Sequence, residues 1–196
     1  MVTINHNRTG GSMKTVLFDL DGTLCDITHR MHFIENGNKD WDGFYKACPA
    51  DVPKYPIIEI NGMCHDAGHR IIISSGRSEN VREETEAWLQ RHDCFYHELL
   101  MRPDRCFAPD HALKKTWLEQ GMLGDKADIL FVIEDRDRMV KMWRSQGLTC
   151  LQVDQWVEEG EVSFPMKKIE QARLMEKFIT ETKQDQRFNE WSAKQC

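Results

Sequence analysis

The sequence predicts an α/β protein built on an open, doubly wound parallel sheet of five core strands, with a small insertion after the first strand. Three observations predict it. Short, unbroken apolar runs recur, as strands buried on both faces require. Amphipathic stretches with helix stop signals separate them, and strand–helix alternation at this spacing marks a parallel sheet covered on both faces. Several runs end in carboxylates, hydroxyls or a Gly-Arg turn, which suits the carboxyl ends of strands in an open sheet, where ligands bind.

Residues 15–18, Thr-Val-Leu-Phe, are the first strand. Ile57, Ile60, Cys64 and Ala67 recur at helical intervals, and Gly68 closes that helix. Ile71, Ile72 and Ile73 form the second strand. Residues 79–92 read as a helix with Val81, Thr85, Trp88 and Leu89 on its inner side, and residues 95–101 as the third strand. Asp110 caps a helix that runs to Gln120 and stops at Gly121. Residues 129–133 are the fourth strand, 137–146 a helix followed by Gly147, and 148–153 the fifth strand. The polar, aromatic stretch 25–55 breaks the rhythm and is the insertion. Residues 1–12 read as a tag or disordered N-terminus, because Gly10-Gly11-Ser12 resembles an expression scar. Residues 154–196 read as a helical extension, with Met166, Ile169, Met175 and Phe178 at near-helical intervals, leaving 13–153 as the core domain.

Composition narrows the function. In 196 residues, 40% are apolar and 30% charged, as in a soluble globular protein. Lys and Arg number 26 against 32 Asp and Glu, a net −6, which argues against a main grip by non-specific attraction to nucleic-acid phosphates. Recognition of a single phosphate stays open. No apolar run approaches the ~20 residues of a membrane span, and the N-terminus lacks the apolar core of a signal peptide. Seven cysteines, an odd number without a C-x-x-C pair, speak against a disulfide scaffold or thiolate zinc site and for a reducing cytoplasm. His65 and His69 read as a polar helix end, since no third metal ligand lies in sequence reach.

The strand ends carry the chemistry. Asp19-Leu20-Asp21-Gly22-Thr23 follows the first strand, Ser74-Ser75-Gly76-Arg77 ends the second, and Glu134-Asp135-Arg136-Asp137 ends the fourth. Lys114-Lys115 lies in the helix before the fourth. Singly, these are helix caps and solvated charges. Together on one rim they predict a phosphate and metal site.

This order resembles the signatures of the haloacid dehalogenase superfamily of phosphotransferases over residues 14–153. Asp19 to Thr23 match the first, and Ser75, Lys114 and Glu134-Asp135 fall where the other three belong. The stretch Ile72 to Arg77, and Ile133-Glu134-Asp135-Arg136 followed by Val140 to Arg144, look like the phosphatase half of phage polynucleotide kinases. The resemblance implies a Mg²⁺-dependent phosphomonoesterase that removes 3′-phosphate from nucleic-acid ends or nucleotides. Asp19 would be the nucleophile, forming an aspartyl-phosphate. Asp19 and Asp135 would offer carboxylates to Mg²⁺ and Asp21 its backbone carbonyl. Asp21 would protonate the leaving oxygen and then deprotonate water. Ser75 and the N–H groups of Gly76 and Arg77 would hold phosphate at a helix start, with the Arg77 guanidinium as a second grip. Lys114 would offset the negative charge around Asp19, with Lys115 as the alternative, and Thr23 and Arg136 would touch substrate.

The chain departs from that family in two ways. Glu134 stands where a second aspartate is common, so it is read as lying outside the metal's ligand set. No G-x-x-x-x-G-K-[ST] occurs, so no ATP cradle is encoded. The insertion is too small to seal the site, and its His29, Arg30, His32, Trp41, Phe44 and Tyr45 either stack on a base or form the insertion's own core. Other readings are a 5′-nucleotidase or other small-metabolite phosphatase, a phosphotransferase to an acceptor other than water, and a non-enzymatic binding module. The mark of the last would be loss of Asp19 or Asp21, and both are present.

Overall fold

Strand β1 (Thr15–Phe18) is buried along its whole length because it lies at the centre of the sheet. In the computed structural model, which describes residues 13–35, 37 and 39–154, the sheet also contains β4 (Arg70–Ser78), β5 (Glu98–Arg102), β6 (Ile129–Glu134) and β7 (Cys150–Gln152). Its order is β5-β4-β1-β6-β7, and all pairings are parallel. The chain starts in the middle, winds to one edge, then returns past β1 to the other. The switch point therefore falls beside β1, where open sheets bind ligands. The expected segments 1–12 and 155–196 lie outside the described residues.

Register sets the site. Phe18 pairs with Ile73 on one side and Ile133 on the other, so the next residues, Asp19, Ser74 and Glu134, emerge at one level. Beneath them the sheet is apolar on both faces. Leu17, Ile72 and Val132 point to one face, where α4 (Asp110–Glu119) and α5 (Asp137–Ser145) supply Leu113, Trp117, Val140 and Trp143. Val16, Phe18, Ile71 and Ile73, of opposite parity, are equally inaccessible, so the other face is covered too.

The remaining helices are α2 (Tyr55–Asp66) and α3 (Arg82–Arg91). The inner side predicted for α3 is buried as expected, but its first turn, Glu79–Val81, is a 3₁₀ turn whose Asn80 N–H is capped by Ser78. In α2 the buried face is Ile58, Asn61 and Cys64, about one residue away from the predicted stripe. Asn61 explains this and also shortens the third strand. Its side-chain amide donates to the Phe95 carbonyl (3.0 Å) and accepts from the Phe95 N–H (2.7 Å). Those two groups are thereby taken from the sheet, and β5 starts at Glu98 instead of residue 95. On the other side, β4 continues past Ile73 to pair Ser78 with Arg102.

The insertion opens and closes on a two-stranded hairpin, β2 (Cys25–Asp26) with β3 (Val52–Pro53). Between them lie 3₁₀ turns at Thr28–Phe33 and Cys48–Ala50 and the short helix α1 (Trp41–Lys46). No helix among the described residues is long and apolar enough to cross a membrane.

Asn61→Ala should expose the cost of the Phe95 pairing. It strands a backbone donor and acceptor that are only partly buried, a loss of about 1–3 kcal/mol for the pair. Urea unfolding should show a loss in that range, and a change below about 0.5 kcal/mol, typical of surface sites, would mean water replaces the amide without cost.

Candidate active site

Asp19 continues β1 directly: its N–H donates to the Ile133 carbonyl at 2.9 Å, which fixes its backbone between β4 and β6. Its side chain is nearly inaccessible. Oδ1 accepts from Lys114 Nζ at 2.5 Å, and the same ammonium reaches Glu134 Oε2 at 3.1 Å. Glu134 Oε1 accepts from the Asp135 N–H at 3.2 Å. Asp19, Glu134 and Asp135 bring carboxylate oxygens within 4.8 Å of one another. Three buried carboxylates thus face one ammonium. Burial, with Glu134 beside it, raises Asp19 to about 7 despite Lys114. Burial, then the charges of Glu134 and Asp19, also push Asp135 well above the usual carboxylate range. Burial opposes the Lys114 charge, but Asp19 and Glu134 outweigh it and hold the ammonium above its ordinary pKa.

Asp135 is the uncompensated member. Both its carboxylate oxygens are buried and accept no hydrogen bond from the described residues. Buried polar atoms are normally satisfied, and an orphaned carboxylate is costly. A hard divalent cation, which takes carboxylate oxygens and balances an excess of negative charge, fits this donor set. Gly22 leaves the room: with φ +89°, a Cβ there would lie 1.9 Å from Asp135 Oδ2. Lys54 Nζ holds the Gly22 carbonyl at 2.5 Å and so braces the turn after Asp21.

Asp21 faces a different group of charges. Its Oδ1 accepts from Arg30 at 2.7 Å and from Arg77. Both guanidiniums continue to Asp51, Arg30 through Nε to Oδ1 (2.7 Å) and Nη2 to Oδ2 (2.8 Å), and Arg77 through Nη2 to Oδ2 (2.7 Å). Arg30, Arg77 and Asp51 are buried. Burial pushes the Asp21 carboxyl up, but Arg77 and Arg30 prevail and hold it well below the usual range. Oδ1 carries both arginine bonds; no hydrogen bond reaches Oδ2 from the described residues, and Asp21 lines the cavity.

The structure brings Asp19, Asp21, Lys114 and Glu134 to one cavity, together with Gly76 and Arg136. Asp135 lies against it through the acidic cluster. Lys115, the alternative to Lys114, is half-exposed and pairs with Glu119. Three predicted substrate contacts are elsewhere. Arg77 is fully buried under the site, committed to Asp21 and Asp51. Thr23 is fully buried and off the cavity wall, its hydroxyl without a partner. Ser75 is buried, its Oγ accepting from the Arg77 N–H at 3.1 Å. Gly76 and Arg77 do not open a helix either, because β4 runs through them to Ser78. Arg136 reaches the cavity and donates to Asp110 Oδ2 at 2.9 Å.

Sequence reasoning missed Asp51 as the second carboxylate and took Asp110 for a helix cap. Pro109 is the cap position, and the Asp110 carboxylate instead joins Arg102 to Arg136. A signal existed for Asp110: it lies four residues before Lys114, hence on the same helix face. None existed for Asp51, whose partners are 21 and 26 positions away.

Known proteins share this fold. CbbY from Rhodobacter sphaeroides, solved in complex with phosphate, has the same fold at TM-score 0.52 and 12% identity, over 77% of this chain and 90% of its own. Two structures of the Pnkp1/Rnl/Hen1 RNA repair complex align more fully. One gives TM-score 0.61 and 27% identity over 79% of this chain, the other 0.63 and 28% over 81%. They are matched over 47% and 51% of their own lengths, so this chain spans about half of them. The class is a phosphatase of the haloacid dehalogenase superfamily. Within it, residues 13–156 match the family described as "Polynucleotide kinase PNKP phosphatase domain", and the chain belongs to that family.

Gly22→Ala and Gly121→Ala separate backbone strain from collision. Both residues have positive φ, but a Cβ at Gly121 meets nothing within 4 Å. Urea melts should show a loss of about 1–2 kcal/mol from left-handed strain in Gly121→Ala, and about 1–3 kcal/mol more in Gly22→Ala, where the collision adds to it. Phosphate release should fall about a hundredfold for Gly22→Ala only, the scale of an ångström-level displacement of a reacting group. Equal turnover in the two variants would mean that the space between Gly22 and Asp135 is not used.

Proposed function

We propose that the chain removes 3′-phosphate from nucleic-acid ends or nucleotides, through an aspartyl-phosphate on Asp19 and with Mg²⁺ as cofactor. One observation carries the chemistry: each of the two cavity-facing aspartates is held through one oxygen, leaving the other uncommitted. Lys114 binds Asp19 Oδ1, and the arginines bind Asp21 Oδ1. Asp19 Oδ2 is then the atom that attacks phosphorus, while the ester oxygen departs on the opposite side. Asp21 Oδ2 hands a proton to that leaving oxygen and takes one from the water that later attacks the acyl phosphate. Lys114 offsets negative charge as the phosphoryl group arrives.

Asp19 and Asp135 would hold the metal through carboxylates and Asp21 through its backbone carbonyl. The ion would supply charge neutralisation for the phosphoryl oxygens. Glu134, occupied by Lys114 and the Asp135 N–H, orients its neighbours instead of ligating. Arg30, Arg77 and Asp51 fix the position of Asp21, a supporting role in place of the phosphate grip first read for Arg77. The 3′ preference is supported by the family match and by the likeness to Pnkp1 chains in an RNA repair complex.

Asp19→Asn should abolish turnover in Mg²⁺, because an amide does not form the acyl phosphate. Residual activity above about a hundredth, the scale of a lost catalytic group, would sink the nucleophile assignment. Asp21→Asn keeps its backbone carbonyl, so in a single turnover it should slow release of an alkyl leaving group by about 10²–10⁴ and of an aryl one by much less, while hydrolysis of the acyl phosphate slows equally for both. Equal slowing of leaving-group release from nitrophenyl phosphate and an alkyl phosphate would remove Asp21 as the acid.

The substrate is tested by phosphate release from 3′- and 5′-phosphorylated DNA, RNA and mononucleotides. Oligonucleotides and mononucleotides with 3′-phosphates should be cleaved comparably and 5′-phosphates more slowly. Each neutralised phosphate adds about −0.7 to −0.9 to the log–log salt slope, and a slope equal to one to three phosphates is expected. A strong preference for 5′-mononucleotides would replace this reading with a nucleotidase.

A further inference from the structure

The cavity over Asp19 has a volume of about 690 Å³, far more than a phosphoryl group needs and in the range of sites that bury a whole small ligand. Its wall includes two aromatic rings that the protein leaves exposed. Trp41, from α1, is 49% exposed, and Phe107, from the loop between β5 and α4, is 92% exposed. Large rings usually bury most of their surface, so two on one cavity wall need a reason.

The loop does not leave Phe107 loose. Arg102, at the end of β5, donates to the carbonyls of Cys106 (3.0 Å) and Ala108 (2.6 Å), the two neighbours of Phe107. The same guanidinium donates to the Gly76 carbonyl at 2.9 Å and pairs with Asp110. The backbone on both sides of Phe107 is thus tied to the phosphate-side turn and to the helix carrying Lys114. Arg105, two residues earlier, has φ +56°, a strained conformation for a residue with a side chain, and such strain concentrates at functional sites. Among the described residues Phe107 makes no ring contact.

Trp41 is held comparably. It meets Phe44 edge-on at 5.8 Å and Tyr45 at 6.1 Å, and the Tyr45 hydroxyl donates to the Gly76 carbonyl at 3.4 Å. Gly76 is therefore the shared anchor of both ring-bearing segments. Charge on the wall is mixed: it includes Arg105, Arg136 and Arg138 but also Asp42, Asp104 and Asp137. Such a wall offers no continuous basic track for a phosphate backbone, so rings are its means of holding a nucleoside.

We infer that Trp41 and Phe107 are a stacking site for the nucleobase of the phosphate ester, placed so that the base is gripped while its phosphate reaches Asp19. This rests on the nucleotide reading above and adds the residues that distinguish a nucleotide from a bare sugar phosphate. Phe44 is buried in the insertion's own core under Arg30, whereas Trp41 stays half-exposed on the cavity wall.

The test compares thymidine 3′-phosphate with deoxyribose 3-phosphate, which lacks the base, in wild type, Phe107→Ala, Trp41→Ala and the conservative Phe107→Tyr and Trp41→Phe. The read-out is the ratio of kcat/KM for the base-bearing to the abasic ester. Each alanine variant should lower that ratio roughly 5- to 150-fold, the equivalent of the stacking free energy of one base on one ring, mainly through KM. The aromatic variants should restore it. Equal losses on both esters would overturn the inference, since they report damage to the fold or to phosphate handling. An unchanged ratio would overturn it too. If wild type cleaves simple alkyl phosphates but neither nucleotides nor 3′-phosphorylated oligonucleotides, the nucleotide reading itself fails. Wild-type nucleotide cleavage with ring-independent ratios refutes only the stacking site.

Discussion

Asp19 and Asp21 are two positions apart and both lie in a low-dielectric site, where a lone carboxylate does not stay ionised. The structure sends them to separate cations, which hold Asp21 well below the usual range but leave Asp19 raised to about 7. Asp19 pairs with Lys114 and Asp21 with Arg30 and Arg77. Everything else at the carboxyl end of the sheet follows from this division. The lysine comes from a helix that begins near Asp19, and the arginines from β4 and from the insertion. Buried pairs of this kind contribute little net stability against an apolar alternative, but breaking one partner leaves a buried charge and costs about 3–5 kcal/mol.

The insertion is consequently more than a cover. Arg30 and Asp51 both belong to it, and each bonds to residues of the sheet domain: Arg30 to Asp21, Asp51 to Arg77. The Trp88 indole, from α3, donates to the Asp51 carbonyl at 2.9 Å, which fixes the far end of the insertion against the core. Arg30 also lies 4.2 Å over the Phe44 ring, so the cap's small core and the catalytic turn share one guanidinium. Without the insertion, Arg77 and Asp21 would be half-paired. The catalytic turn and the cap are thus one electrostatic unit, and Lys54, at the exit of the insertion, ties the Gly22 carbonyl into it.

Much of this could be read from the sequence because parallel sheets expose their periodicity. The apolar runs before Asp19, Ser74 and Glu134 gave the strands, and the strand ends gave the site. What could not be read was side-chain direction. Arg77 follows Ser75 at a strand end, which fits a phosphate grip, yet its guanidinium is buried and held by Asp21 and by Asp51 of the insertion. Thr23 lies inside the signature turn but points inward. Asp51 has no local mark at all, since its partners come from across the fold. Asn61 was hidden for a similar reason: a polar residue in the buried stripe of a helix is intelligible only once the Phe95 backbone is seen against it.

One tension lies in the chemistry proposed for Asp21. Arg30 and Arg77 keep it ionised at rest, the form that accepts a proton from water, whereas protonating the leaving oxygen calls for the acid. The geometry eases the conflict. Both arginines bind Oδ1, so Oδ2 can take a proton while the hydrogen bonds to Oδ1 stay in place. A phosphate ester adds negative charge beside Asp21 when it binds, which raises the carboxyl's affinity for a proton while substrate is present. In the proposed cycle, once the leaving group has departed with that proton, the arginines would favour the carboxylate that remains, the state needed to activate water. The same two ion pairs thereby make the second half of the cycle easier, at the expense of the first, and the charge of the substrate itself offsets that expense.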